Sequence, residues 1–109
     1  MVMLTKDNGE VVPLTEGCVF GSQRGHYISQ AIIRQALELG WVNSEAEKAA
    51  NEYDDHYYDE TWEYLDAWHD LVDEAETYLN THTTGALWGW WAGEYFLQPL
   101  EWWDEEAGF

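Results

Sequence analysis

Apolar positions change rhythm along this chain, from short runs at the start to helical spacing in the middle and alternation near the end. Residues 2–5 and 11–14 are apolar-rich and flank Lys6-Asp7-Asn8-Gly9-Glu10. Asn-Gly accepts the positive φ angles of a tight hairpin turn, so the two runs are predicted to pair as strands. Pro13 has no N–H to donate and confines the second strand to a sheet edge. Gly17, Gly21 and Gly25 bracket Cys18-Val19-Phe20, which reads as a loop.

A first helix is predicted to begin at Tyr27 or Ser29 and to end at Leu39. Ile28, Ile32, Gln35/Ala36 and Leu39 recur at a spacing of three to four residues, and Gly40 supplies the stop. Ser44-Glu45-Ala46-Glu47 has the form of a capping box and opens a second helix over residues 45–53, with Ala46, Ala49, Ala50 and Tyr53 inward. The third helix is predicted over residues 57–79. Tyr58, Trp62, Leu65, Trp68/His69, Val72, Ala75 and Leu79 form its apolar stripe. Residues 81–85 break the pattern. Residues 86–91 and 95–98 then read as a hairpin around Ala92-Gly93-Glu94, ended by Pro99. Glu101-Trp102-Trp103-Asp104-Glu105-Glu106 reads as an acidic aromatic tail with a helical turn. The elements give an α+β class: three helices packed on a small antiparallel sheet with a C-terminal β-hairpin, residues 1–109 forming one acidic domain.

Charge changes this picture most. The chain has 109 residues and a formal net charge of −18. Its four cations, Lys6, Arg24, Arg34 and Lys48, all precede residue 49 and face six acids there, a balance of −2. The remaining 61 residues hold 16 acids and no Lys or Arg, which supplies the other −16. Such a block repels itself on folding. It is not the composition of a disordered tail, because the acids are interleaved with tryptophan, of which the chain has eight. Each indole can bury roughly 150–250 Å², which offsets the repulsion.

Cys18 is the sole cysteine and excludes an intrachain disulfide, which suits a reducing compartment. No apolar run approaches the ~20 residues of a membrane span, and the N-terminus lacks the apolar core of a signal peptide. The expected location is the cytoplasm of a host cell. Direct binding to nucleic acid or an anionic membrane is disfavoured, because phosphate contacts need Lys and Arg.

Asp59, Glu63, Asp66, Asp70 and Asp73 recur at +4, +3, +4 and +3, which on one helix makes a second, wholly acidic stripe. Successive carboxylates would lie about 4.5–6 Å apart along the axis, and the stripe would run about 21 Å. One DNA strand places a phosphate about every 3.4 Å. Glu60, Glu74 and Glu76 beside the stripe raise its density. A basic channel built for DNA would meet carboxylates in place of phosphates, often bidentately through Arg. The plainer alternative is a solvated helix face, or surface acidity as an adaptation to salt or solubility. That face usually mixes signs, since like charges at i, i+4 cost roughly 0.2–0.5 kcal/mol per pair.

Other chemistry is weakly signalled. His26, His56, His69 and His82 lie near carboxylates, as nearly every histidine must among 22 acids. There is no His-Glu-x-x-His and no calcium loop. No local motif pairs Cys18 or a serine with a histidine, and Gly17-Cys18-Val19-Phe20-Gly21 is not followed by the Lys-Ser/Thr of a phosphate loop. No catalytic residue, metal site or cofactor is therefore predicted. Trp88 and Trp90 share one strand face and are expected to pack on the long helix, with Trp91 on the other face. Arg24 is expected to pair internally, with Gly25 in a tight turn. Trp91, Trp102 or Trp103 would serve an interface, where an exposed indole ringed by acids suits an arginine of the partner.

Two resemblances follow from these residues. Arg24-Gly25-His26-Tyr27-Ile28-Ser29-Gln30 resembles the Arg-Gly-x-Tyr-Ile-Pro-Gln opening of small uncharacterised acidic proteins from phages and their bacterial hosts, with Ser29 in place of the proline. Tyr57-Tyr58-Asp59-Glu60-Thr61-Trp62 and Trp90-Trp91-Ala92-Gly93-Glu94-Tyr95-Phe96-Leu97 are similar to an aromatic-acidic helix and a closing hairpin in the same group. In physical character the chain resembles phage DNA-mimic inhibitors of the anti-restriction and anti-CRISPR kind. That likeness implies a non-enzymatic inhibitor acting on the basic surface of a nucleic-acid-binding protein or effector complex. The likeness transfers no residues; the acidic stripe, the tail and the tryptophans give the contact set as Asp59, Glu60, Glu63, Asp66, Asp70, Asp73, Glu74, Trp91, Glu101, Trp103, Asp104, Glu105 and Glu106. The alternative is a protein-interaction module, open to homo-oligomerisation through its hairpin or N-terminal half, that binds through an exposed Trp surface and uses its acids for solubility.

Overall fold

The computed structural model describes residues 2–19, 27–56, 60–92 and 94–107. The expectations placed on Phe20, Gly21, Arg24, Gly25, His26, Tyr58 and Asp59 lie outside the described residues.

The α+β class holds: the described residues form four helices and two small sheets where one sheet was expected. β1 (Met3–Thr5) and β2 (Val11–Pro13) form the N-terminal hairpin, with Leu4 opposite Val12. Gly9 has φ +91°, its N–H donates to Lys6 O, and Asn8 Oδ1 accepts from Glu10 N–H. β2 lies at a sheet edge, as Pro13 requires. The other edge of this sheet is β4 (Thr83–Thr84), which pairs antiparallel with β1.

Helix α1 (Tyr27–Glu38) buries Ile28, Ile32, Ile33 and Ala36, and also Gln30, whose amide donates to Ala50 O of the next helix at 2.8 Å. The helix ends at Gly40, with φ +104°: Trp41 N–H donates to Ala36 O and Gly40 N–H to Leu37 O, the paired bonds of a Schellman stop. A side chain at Gly40 would place its Cβ 2.9 Å from the Tyr78 hydroxyl, which donates to Leu39 O. α2 (Ser44–His56) buries Ala46, Ala49, Ala50 and Tyr53 as expected. Its side-chain cap is Asn43, one residue before the expected serine: Asn43 Oδ1 accepts from Ala46 N–H at 3.0 Å.

The largest difference is α3, which spans Trp68–His82 and not residues 57–79. Residues 60–67 are turns. Two forces oppose a helix there. Glu60, Glu63 and Asp66 share one sign at helical spacing. The aromatic cluster also needs a bend: Trp62 lies 5.8 Å from Trp68 and 6.0 Å from Tyr53, and Tyr53 stacks on Trp68 at 4.1 Å. On a continuous helix, residues six apart stand about 9 Å apart along the axis and about a third of a turn around it. The turn gathers rings that a helix would separate. Trp62 is buried, while Leu65, assigned to the same stripe, is exposed.

The second sheet has the order β3-β6-β5, built from β3 (Gly17–Val19), β5 (Leu87–Trp91) and β6 (Glu94–Gln98). Residues 17–19, expected in a loop, pair with Leu97, Phe96 and Tyr95. Glu94 stands opposite Trp91 and so begins β6, where a loop position was expected. The chain closes with a helical turn, α4 (Leu100–Trp102), which widens into a π-helical turn over Trp103–Ala107. One face of this sheet carries Trp88, Trp90, Tyr95 and Leu97 toward α3; the other carries Gly89, Trp91 and Phe96 toward the C-terminal turn.

Candidate partner-binding surface

The predicted contact residues separate into three groups. Glu60, Glu63 and Asp66 lie exposed on the turn segment before α3. Asp70, Asp73 and Glu74 lie exposed on the first half of α3, opposite the buried Trp68, Leu71, Val72, Ala75, Tyr78 and Leu79. Glu101, Asp104, Glu105 and Glu106 are exposed on the C-terminal helical turns. Asp59 lies outside the described residues. The 21 Å stripe is therefore not one rod: among the described residues only Asp70 and Asp73 of it share a helix, about 4.5 Å of axis, with Glu74 beside them. The sheet β3-β6-β5 stands between the α3 acids and the C-terminal acids, because α3 covers one of its faces and Trp103 the other.

Placing acids at the start of α3 is locally favourable. Its N-cap, Ala67, has no side chain to bond the free N–H groups. Asp70 in the first turn and Asp66 just before the cap meet the positive end of the helix dipole. One acid is partly neutralised: Lys48 Nζ lies 3.5 Å from Glu63 Oε1 and 5.8 Å from the centre of the Tyr64 ring. The Glu63 carboxylate, and Tyr64 after it, raise the Lys48 ammonium above its usual range. Glu76, at the edge of the α3 surface, is half-buried against the sheet. That burial holds its carboxyl above the usual range and Asp73 adds to the rise, while the Tyr95 hydroxyl and the Trp90 indole pull the other way.

The two tryptophans assigned to an interface have opposite fates. Trp91 keeps 37% of its surface, whereas Trp103 keeps 1%, so its assignment to an exposed interface is corrected. Trp103 Nε1–H is shared between Leu87 O at 3.2 Å and Gln98 O at 3.1 Å. Its ring lies so close to Gly89 that a Cβ there would sit 3.2 Å from Trp103 Cη2. The glycine between Trp88 and Trp90 was the available signal, since glycine inside a strand often marks close approach of another group. Above this lock, Trp102 stacks on Phe96 at 5.4 Å, and Trp91 stands at 77° to Trp102 and 75° to Phe96. On the other sheet face Trp88 packs on α3 as expected, but Trp90 remains 44% exposed.

Two polar devices had no clear sequence signal. The Asn80 amide accepts from Trp88 N–H at 2.7 Å and donates to Trp88 O at 3.2 Å, closing the outer edge of β5. His82 joins α3 to the N-terminal hairpin: Nδ1 is 2.9 Å from Tyr78 O and Nε2 is 2.7 Å from Asp7 Oδ1. Both partners are acceptors, so both contacts are hydrogen bonds only when the ring carries two protons. The Asp7 bond accordingly raises the His82 imidazole above its usual range. Among the described residues, no three His, Cys, Asp or Glu side chains converge on a point where a metal ion would sit. No helix of the described residues is long and apolar enough to cross a membrane. Comparison with protein-family models, curated proteins and solved structures finds no match.

Proposed function

We propose that this protein is a non-enzymatic inhibitor that occupies the basic nucleic-acid-binding site of a host defence nucleoprotein, an anti-restriction or anti-CRISPR role of phage origin. The observation that carries the reading is the segregation of charge: 16 acids and no Lys or Arg after Lys48. The exposed positions of Asp70, Asp73, Glu74, Glu101, Asp104, Glu105 and Glu106 support it, because these carboxylates are free to meet a partner without unfolding the core. The charge is spread over several elements, so it fits a broad basic surface better than a single narrow groove. Association is fast and salt-sensitive on this reading.

The test is capture from host lysate at low salt, followed by salt steps and DNA competition. A basic nucleic-acid-binding protein that elutes between roughly 0.1 and 0.5 M salt, and that DNA displaces, is the expected result. Replacing Asp70, Asp73 and Glu74 by Lys should sharply weaken the capture while far-UV circular dichroism stays unchanged. Capture that survives this reversal, or that ignores DNA, refutes charge mimicry.

A second reading, a protein-interaction module using an exposed Trp surface, is favoured by one observation: Trp90 and Trp91 both project at the hairpin tip, 44% and 37% exposed. It predicts binding that tolerates salt and is lost on changing those two side chains.

A further inference from the structure

Exposed aromatic area gathers where the C-terminal turns meet the hairpin tip. Trp91 projects there, edge to face with the Phe96–Trp102 stack, and both of those rings are themselves half-buried. Trp91 packs edge to face against other rings on its inner side. Its two ring neighbours fix its plane, and the buried Trp103 behind them fixes Trp102, 4.9 Å away, to the sheet. A pre-set ring loses little freedom when a partner covers it.

The charge around this face selects what covers it. Glu101, Asp104, Glu105 and Glu106 are exposed on the segment that bears Trp102. No Lys or Arg follows Lys48 in the chain. A purely apolar partner would strip water from these carboxylates without replacing their bonds. A second copy would bring the same acids into contact. A guanidinium meets both demands: its plane lies on an indole face, it is weakly hydrated, and its N–H fork bonds a carboxylate bidentately. An ammonium offers a point charge that holds its water more tightly.

We propose that the face formed by Trp91 and Trp102, rimmed by the C-terminal carboxylates, takes an arginine-bearing segment of a basic protein, with a guanidinium stacked on the Trp91 ring. This rests on the reading of the protein as a ligand for a basic surface. It adds that the aromatic face, rather than α3, is the arginine-selective anchor.

The test uses two probes of equal charge, a nona-arginine and a nona-lysine peptide, titrated calorimetrically at low salt into the whole protein. The arginine peptide should bind about two- to fivefold more tightly, the scale of an exposed cation–π contact. In ¹⁵N-labelled protein the indole N–H signals of Trp91 and Trp102 should shift ahead of that of Trp68. Trp91→Leu should lower the affinity ratio toward one, with the urea unfolding midpoint still showing a folded protein. Trp91→Phe, which keeps an aromatic face, should retain part of the preference and so separates recognition from a loss of fold. Equal affinities for the two peptides, or a preference unchanged in Trp91→Leu, overturns the aromatic anchor. If both peptides bind equally and the Asp70, Asp73 and Glu74 reversal weakens both alike, the acidic-ligand reading stands and the anchor falls. If neither peptide binds at low salt, both fall.

Discussion

Trp103→Ala is the most informative single change, because it tests whether the C-terminal turns belong to the core. Trp103 is 1% exposed, and its ring fills the space above Gly89. Full burial of an indole removes roughly 150–250 Å² from water. At ~25 cal/mol per Å² this amounts to about 4–6 kcal/mol, an upper bound because the unfolded chain already hides part of that area. Truncating a buried tryptophan in other cores costs about 3–5 kcal/mol, and that is the loss expected here. Trp103→Phe removes the indole N–H shared by Leu87 O and Gln98 O together with part of the ring system that meets Gly89, and should cost less than Trp103→Ala but at least about 1–2 kcal/mol. Trp91→Ala serves as the control, since Trp91 keeps 37% of its surface and should cost clearly less than Trp103→Ala. The assay is urea unfolding followed by far-UV circular dichroism, with the slope checked for constancy. The loss from Trp103→Ala is a large share of the 5–15 kcal/mol typical of a folded domain. If that variant does not fold, the comparison of Trp103→Phe with Trp91→Ala decides the matter. A loss below about 1 kcal/mol for Trp103→Ala, or one no greater than for Trp91→Ala, refutes the claim that this ring locks the sheet.

The His82–Asp7 contact should make stability depend on pH. A histidine whose folded pKa is raised gives stability that is fully present below its unfolded pKa, near 6.5, and lost as pH rises through the folded value. The stability gap between the protein and its His82→Gln variant should therefore be widest near pH 6 and close under alkaline conditions; a gap that widens with pH contradicts the double-proton assignment. Asp7→Asn should move the His82 titration, read by NMR, back toward the ordinary histidine value. Asn80→Ala should cost about 1–3 kcal/mol by leaving the Trp88 backbone groups unpaired, and should expose the β5 edge; sedimentation at rising concentration will show self-association if the amide is what closes that edge. Gly40→Ala should cost about 1 kcal/mol or more in urea unfolding, because φ is +104° and the new methyl group would meet the Tyr78 hydroxyl; an unchanged midpoint would contradict that geometry.

Local rules made much of this molecule legible from its residues. Asn8-Gly9 dictated a hairpin because few other pairs accept its turn, and Pro13 put its second strand at an edge. Gly40 ended α1 because a positive φ there suits glycine. The alanine face of α2 and the closing hairpin needed only periodicity. The one-signed block after Lys48 is fixed by composition, whatever fold carries it.

What the sequence could not decide were the choices made by distant partners. The spacing of residues 57–79 matches a helix, but contacts of Trp62 with Tyr53 and Trp68 turned residues 60–67 into a bend and divided the acidic stripe. β3 and β4 are three- and two-residue segments with no periodicity of their own, and they became strands because β6 and β1 offered unpaired edges. Trp102 and Trp103 are chemically identical neighbours. Only the approach to Gly89 decided that one fills the core while the other joins Trp91 at the surface. Backbone preferences and composition act between near neighbours and can be read in order along the chain. Burial is a property of the assembled fold, settled by which side chains arrive from elsewhere to exclude water.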